Sequence, residues 1–363
     1  MEDTVAVYAP GHLDPFDSYG LLACELLRHL DAMGVETNAI ALGEAQHANQ
    51  PAGVAAITSR PIRAAFGGIL LGYPTSFASH GPLPALGPRV AITMFESSRI
   101  PEEWPHWLNQ CDAVVTPSHF CRDVFVDCGV TTPVHVIPLG VSETYQPALR
   151  PLDRKPFTFL TWGDRGKRKG SLEAMQAFVR AFGDDMDYRL LVKTRDLEQH
   201  AIILNANIEV VHDDLSEEEM YRLYLSFDCM VFPTKGEGFG LPPREFAATG
   251  APVICTAWSG TADDVEEWGI PLDYALERAD WHGALNLQGL PLGQWARPDV
   301  DDLAHLMRHV ADNRHRMTAE AVEKGYRVHE LYSWRAFAEG VLDVWNDVSE
   351  RRLHGHRNAA VPA

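Results

Sequence analysis

Residues 228–257 read Asp-Cys-Met-Val-Phe-Pro-Thr-Lys-Gly-Glu-Gly-Phe-Gly-Leu-Pro-Pro-Arg-Glu-Phe-Ala-Ala-Thr-Gly-Ala-Pro-Val-Ile-Cys-Thr-Ala. Cys229 to Phe232 form an apolar run long enough for a buried strand. A glycine-rich turn follows from Gly236 to Gly240. Pro242 and Pro243 stand where a helix accepts proline, in its first turn. Glu245 to Thr249 continue that helix, and Gly250 is placed to close its C-terminus. Pro252 to Thr256 read as a second buried strand. The stretch therefore predicts a strand–helix–strand unit. Its turn and helix N-terminus aim backbone N–H groups at one point, where phosphate is favoured. Two carboxylates flank that point, Glu237 on the turn and Glu245 in the helix's first turn. Taken singly, the glycines make a turn, and a Glu early in a helix complements the helix dipole, worth ~0.3–1 kcal/mol.

The same alternation runs along the chain. Thr4 to Ala9 predict a first strand, Tyr19 to Met33 a helix with Leu21, Leu22, Leu26, Leu27 and Leu30 at helical spacing, and Thr37 to Leu42 a second strand. Gly68 to Leu71, Arg89 to Phe95, Ala113 to Thr116 and Val134 to Pro138 are further short apolar runs. Phe157 to Trp162, Tyr188 to Lys193 and Ile208 to His212 repeat the pattern after a proline-rich, charged segment, residues 147–155, which reads as a linker. Ser118 is placed to cap a helix, and Ser216 to Glu219 form a capping box for another. From Asp264 to Asp299 the chain is less regular. Helices are expected from Val300 to Val310, over 317–330 and over 334–350, the last with Trp334, Phe337, Val341 and Trp345 as its apolar stripe. Strands alternating with helices imply parallel sheets covered on both faces. The expected fold class is α/β, with two doubly wound domains, 1–150 and 151–332, and a final helical segment, 333–363.

The chain has 363 residues, 46% of them hydrophobic, and a net charge of −19. Residues 1–150 hold seven Arg, no Lys and fifteen Asp or Glu, a balance of −8. Such a surface repels nucleic acid and anionic lipid. No segment approaches the ~20 apolar residues of a membrane span, and the acidic N-terminus does not read as a signal peptide. The six cysteines show no Cys-x-x-Cys pair. Cys24, Cys111, Cys229 and Cys255 lie in apolar surroundings, as buried thiols of a cytoplasmic protein would. The first strand is not followed by Gly-x-Gly-x-x-Gly, so dinucleotide binding has little support. Asp213-Asp214 and Asp263-Asp264 lack companions at ligand spacing and read as loop or cap residues, leaving no metal site.

Glu-Gly-Phe-Gly-Leu from Glu237, Glu at the eighth position on, and then Ala-Ala-x-Gly-x-Pro-Val-Ile resemble the donor-site signature of retaining GT-B glycosyltransferases of the family four type. The resemblance implies two Rossmann-like domains facing a cleft, with a terminal helix crossing back to the first. It implies transfer of a sugar from a UDP- or GDP-sugar to a hydroxyl, with no cofactor and no metal. By position, Glu237 would meet the transferred sugar and Glu245 the ribose hydroxyls, with Gly236, Gly238, Phe239, Gly240 and Leu241 around the donor. The loop Gly163-Asp-Arg-Gly-Lys-Arg-Lys-Gly170 carries four cations beside glycines at a helix start, which suits a diphosphate. In the resembled family an Arg and a Lys of this loop hold the pyrophosphate. Lys169 matches the Lys, and Arg165 is taken as the Arg, with Arg168 as the alternative and a donor-binding residue. Gly11-His12 stands where relatives often carry Gly-Gly, near donor phosphate and acceptor. Glu96 would face the acceptor side, or pair with Arg99. The base would sit near residues 212–215.

The expected partners are thus a nucleotide-sugar and a small or saccharide acceptor, without stable membrane insertion or nucleic acid; a homodimer is compatible. Two other readings stay open, a same-fold sugar-nucleotide epimerase and a non-catalytic nucleotide-sugar binding protein.

Overall fold

The structure, a computed structural model, describes residues 4–10, 13–42, 50–63, 65, 67–79, 87–163, 166–194, 205–281, 287 and 289–359. The chain divides into two compact units. The first comprises residues 1–95, 102–140 and 333–363, and the second comprises 96–101 and 141–332.

Among the described residues of the first unit, six strands form one sheet: β1 (Val5–Pro10), β2 (Thr37–Leu42), β3 (Gly68–Leu71), β4 (Arg89–Ile92), β5 (Ala113–Thr116) and β6 (Val134–Val136), in the order β2-β1-β3-β4-β5-β6. Every neighbouring pair is parallel. A parallel sheet is covered on both faces, which is why β3 (Gly-Ile-Leu-Leu) and β5 (Ala-Val-Val-Thr) are almost wholly apolar and buried throughout. Helix Ser18–Ala32 covers the sheet with Leu22, Leu26, Leu27 and Leu30, all fully buried. Asp17 caps it by accepting from the Tyr19 and Gly20 N–H groups. The last helix, Trp334–Ala359, packs on this helix, and Trp334, Phe337, Val341 and Trp345 form its buried stripe.

Strand β4 is shorter than the apolar run 89–95 predicts. Tyr19 is the reason: its hydroxyl accepts from the Met94 N–H at 3.0 Å and lies 3.3 Å from the Met94 carbonyl, so a side chain takes groups a ladder would use. β6 likewise stops before Pro138, which has no N–H to donate.

The second unit repeats the architecture. Its strands are β7 (Phe157–Trp162), β8 (Tyr188–Thr194), β9 (Ile208–His212), β10 (Cys229–Phe232), β11 (Val253–Thr256) and β12 (Ile270–Leu272), all parallel, in the order β12-β11-β10-β7-β8-β9. Phe157, Phe159, Phe178 and Phe182 lead its core, joined by Leu190, Val231 and residues of helix Val300–Asp312. The stretch after Asp264 is more regular than its composition suggests. It contains β12 and an antiparallel hairpin of β13 (Tyr274–Arg278) and β14 (Gln294–Pro298). These strands are short and interrupted by proline or charged residues, so no apolar run announces them.

Residues 141–155 belong to the second unit, so the stretch expected as a linker is anchored there. Arg150 is the anchor. Its buried guanidinium donates to the Thr249 carbonyl at 2.7 Å, the Thr249 hydroxyl at 2.6 Å and the Phe227 carbonyl at 3.1 Å. We expect Arg150→Met to leave these acceptors buried and unpaired and to cost about 2–4 kcal/mol, measured by urea unfolding.

Candidate active site

In the second sheet β7 and β10 are neighbours, although β8 and β9 lie between them in the chain. The strand order reverses between them. Loops leaving the C-terminal ends of two such strands diverge and make the crevice where α/β sheets bind ligands. Those loops are the two glycine-rich stretches singled out in the sequence, residues 163–170 and 233–240. They are tied together. The Lys235 N–H donates to the Arg168 carbonyl at 2.7 Å, and Gly170, at φ 72°, has no room for a side chain because a Cβ would lie 1.8 Å from the Pro233 carbonyl.

Glu237 is the centre of the junction. Its carboxylate Oε1 accepts from Lys169 Nζ at 2.8 Å, Arg168 Nη1 at 3.0 Å and Thr234 Oγ1 at 2.8 Å. Its N–H donates to Ser259 Oγ at 2.9 Å, and its carbonyl accepts from the Gly260 N–H at 2.9 Å. Ser259 holds that place at φ 65°, a backbone region unfavourable for a residue with a side chain. Burial alone would raise the Glu237 pKa. The charges of Lys169 and Arg168 and the hydrogen bonds of Lys169 and Thr234 outweigh it and hold the carboxyl below its ordinary range.

Glu245 lies in a different environment. Helix Leu241–Ala248 has Gly240 as its N-cap, so Glu245 is its fifth residue and lies in the second turn; the expectation of a first-turn Glu is corrected, because the helix begins directly at Leu241 with both prolines inside its first turn. Desolvation raises the Glu245 pKa to about 7, and the Tyr224 hydroxyl, donating to Oε2 at 3.2 Å, lowers it only partly. The two glutamates thus differ in charge state: Glu237 is held ionised, and Glu245 is poised near neutrality. Pro242 and Pro243 remove two of the four N–H groups that open a helix, so its dipole remains while its donors are halved.

Gly236, Gly238, Phe239, Gly240 and Leu241 are all buried. At Gly236 a Cβ would stand 1.9 Å from the Glu96 carbonyl, so the segment 96–101 of the same unit fits only against glycine. The Glu96 carboxylate lies 3.9 Å from Arg168 Nη2. The structure therefore brings Glu237, Lys169, Arg168 and Glu96 to one place and sets Glu245 apart on Tyr224. Arg165, Gly11 and His12 lie outside the described residues. Asp213 and Asp214 are exposed. Asp264, read as a loop or cap residue, makes no cap hydrogen bond and instead pairs with Arg244. Among the described residues no group of three His, Cys, Asp or Glu is arranged to hold a metal, and no helix is long and apolar enough to cross a membrane.

Sequence reasoning missed Thr234, Ser259 and Trp281. Trp281 lies just beyond β13, 5.9 Å from the Arg168 guanidinium. Lys235, passed over inside the quoted stretch, is a buried cation with Glu173 and Glu277 each at 2.8 Å. An ion pair between distant segments leaves no local signal; only the lysine amid apolar and glycine residues hinted at it.

The sequence model of "Family 4 Glycosyltransferase in conflict systems" matches residues 115–341, and that of "Glycosyltransferase Family 4" matches residues 47–145. The first match alone spans more than half of the chain, which therefore belongs to the family 4 glycosyltransferases. The serotype-specific mannosyltransferase WbdA of Escherichia coli is 26% identical over 158 residues, 41% of this chain and 18% of that protein. The chain thus covers less than a fifth of that curated relative. Sucrose-phosphate synthase from Thermosynechococcus elongatus shares the fold with a TM-score of 0.66 at 15% identity, over 95% of this chain and 98% of that one. HepE of Anabaena, solved in complex with UDP-glucose, gives 0.65 at 10% identity, over 95% of this chain and 99% of that one. The fold is GT-B.

Removing Glu237 would take a shared carboxylate away from two buried cations. We expect Glu237→Ala to cost about 3–5 kcal/mol, read by denaturant unfolding, with most of the loss regained in Glu237→Ala combined with Lys169→Met. Glu245 gives the opposite pH signature. Its folded-state pKa is raised, so the folded protein holds the proton more tightly and loses stability as pH rises from about 4.5, the ordinary value, to about 7. Glu245→Gln should gain on the parent across that window, by at most about 1.4 kcal/mol per pH unit, in thermal melts at pH 5, 6, 7 and 8.

Proposed function

We propose that this protein transfers a sugar from a UDP- or GDP-sugar to a hydroxyl of a soluble acceptor, with retained anomeric configuration. The observation that carries the reading is the junction at Glu237. Two cations converge on a buried carboxylate where the second sheet's strand order reverses, and the family's second Glu follows on the adjoining helix. In this reading Lys169 stabilises negative charge on the leaving diphosphate, helped by Arg168 or Arg165. Glu237 engages the transferred sugar and Glu245 the ribose. The bond between the anomeric carbon and the diphosphate oxygen breaks, a bond to the acceptor oxygen forms, and the hydroxyl proton passes to the diphosphate. Protein cations in place of a metal ion support metal independence. His12, Gly11 and Glu96 are proposed on the acceptor side.

The acceptor proposal rests on charge. Each basic residue near an anionic membrane contributes about 1 kcal/mol of attraction, and residues 1–150 contain no Lys. A saccharide or other small polyol fits this surface, whereas lipid-linked or nucleic-acid acceptors do not.

The test is a panel of UDP- and GDP-glucose and UDP- and GDP-mannose, with and without saccharide acceptors and in excess chelator. Nucleotide release that needs an acceptor and survives chelation is the expected result. Release without any acceptor would favour an epimerase, and binding without release a non-catalytic protein. The two glutamates should separate. Glu245→Ala should weaken the free nucleotide diphosphate by ~1.5–3 kcal/mol, the value of a hydrogen bond to a charged group. Glu237→Gln should abolish most turnover while the diphosphate still binds, because an anion beside Lys169 and Arg168 has gone. Equal loss of diphosphate affinity in both variants, read by calorimetry, would overturn this division.

A further inference from the structure

Arg244, immediately before Glu245, is fully buried. Its side chain does not point at the carboxylates of the junction. Nη1 donates to the Phe239 carbonyl and lies 3.3 Å from the Gly240 carbonyl, and Nη2 reaches the Gly260 carbonyl at 3.2 Å. Those carbonyls belong to the glycine turn and to the turn whose Ser259 and Gly260 hold the backbone of Glu237. The guanidinium is fixed in turn by Asp264, whose Oδ1 also accepts from Trp268 Nε1 at 2.8 Å and whose Oδ2 accepts from the Tyr332 hydroxyl. The rings of Phe239, Trp268 and Tyr332 stand 4.0, 4.8 and 5.1 Å from the guanidinium carbon.

Stability alone does not account for a charge at this place. A buried ion pair is often no better than apolar residues of the same volume, and Arg244 Nε is buried with no acceptor among the described residues. What an apolar side chain could not do is hold three carbonyls of two turns at fixed spacing, a task suited to the rigid fork of a guanidinium.

We propose that Arg244 is a positioning residue: it locks the 238–240 turn to the 259–261 turn and thereby sets Glu237 against the donor sugar. The inference rests on the transfer reading above. Its consequence is a split between binding and turnover. A turn misplaced by about 1 Å can lower turnover by up to about 100-fold, while the nucleotide, held elsewhere by Glu245, binds almost as before.

The test uses the full chain with Arg244→Lys, which keeps the charge and loses the fork, and Asp264→Asn, which keeps the fork and loosens its anchor. Three quantities are read for each: melting temperature, kcat against affinity for the nucleotide diphosphate, and amide exchange at residues 238–241. The expected result for Arg244→Lys is a folded protein with kcat lowered at least about tenfold, diphosphate affinity within about threefold of the parent, and faster exchange confined to the two turns. Asp264→Asn should show the same pattern more weakly, and it carries the test if Arg244→Lys does not fold. Unchanged kcat per folded molecule, or unchanged exchange in the turns, overturns the proposal. If the parent protein turns over no nucleotide-sugar, the transfer reading fails, and the exchange measurement still decides whether Arg244 locks the turns.

Discussion

A carboxylate buried between two cations is the constraint on which the second unit's site depends. Glu237 loses its hydration and regains it from Lys169, Arg168 and Thr234. Partners of a buried ion cannot be loosely placed, because each lost contact exposes the full desolvation cost of the group. The two loops that follow β7 and β10 are therefore held in register by more than their backbones. The 3₁₀ turn Gly166–Lys169 presents both cations from one side, and the 234–237 segment presents the hydroxyl and the carboxylate from the other. At Gly170, Gly236 and Gly260 two segments approach too closely for any side chain.

The second glutamate shows how separation on one short helix yields different chemistry. Glu237 and Glu245 share a residue type and lie one turn and one helical start apart. One is surrounded by cations and stays ionised; the other is desolvated against Tyr224 and titrates near neutrality. The same helix buries Arg244 between these glutamates in sequence and turns it toward the carbonyls of the glycine turn.

Membership of the family 4 glycosyltransferases rests on sequence matches, while the structural relatives at 10–15% identity support the fold alone. Near the junction this chain carries a hairpin, β13 and β14, with Trp281 just beyond its first strand, and a buried Lys235 shared between Glu173 and Glu277. Lys235 Nζ donates to Glu277 on β13 at 2.8 Å and the Ala296 N–H on β14 donates to the Lys235 carbonyl at 2.8 Å, so both strands of the hairpin are joined to the site loop by polar contacts.

Periodicity and punctuation in the sequence determined the α/β alternation, because parallel strands buried on both faces must be apolar runs and helices between them must carry a stripe. β2, β3, β5, β7, β9 and β10 have the bounds their apolar runs predict. The glycine spacing and the paired glutamates likewise marked where a site would form. Where a side chain replaced a backbone partner, the sequence was silent: Tyr19 ends β4, and Arg150 draws the expected linker onto the second unit. That Glu237 would meet Arg168 was also beyond it, since nothing local pairs a loop cation with a carboxylate in a distant segment, and the fold puts Arg168 Nη1 at 3.0 Å. The same holds for the charge states, because a pKa is set by burial and by neighbours that are distant in the chain. Local pattern specifies elements; the distances that make chemistry come from segments that meet only when the sheet has closed around its core.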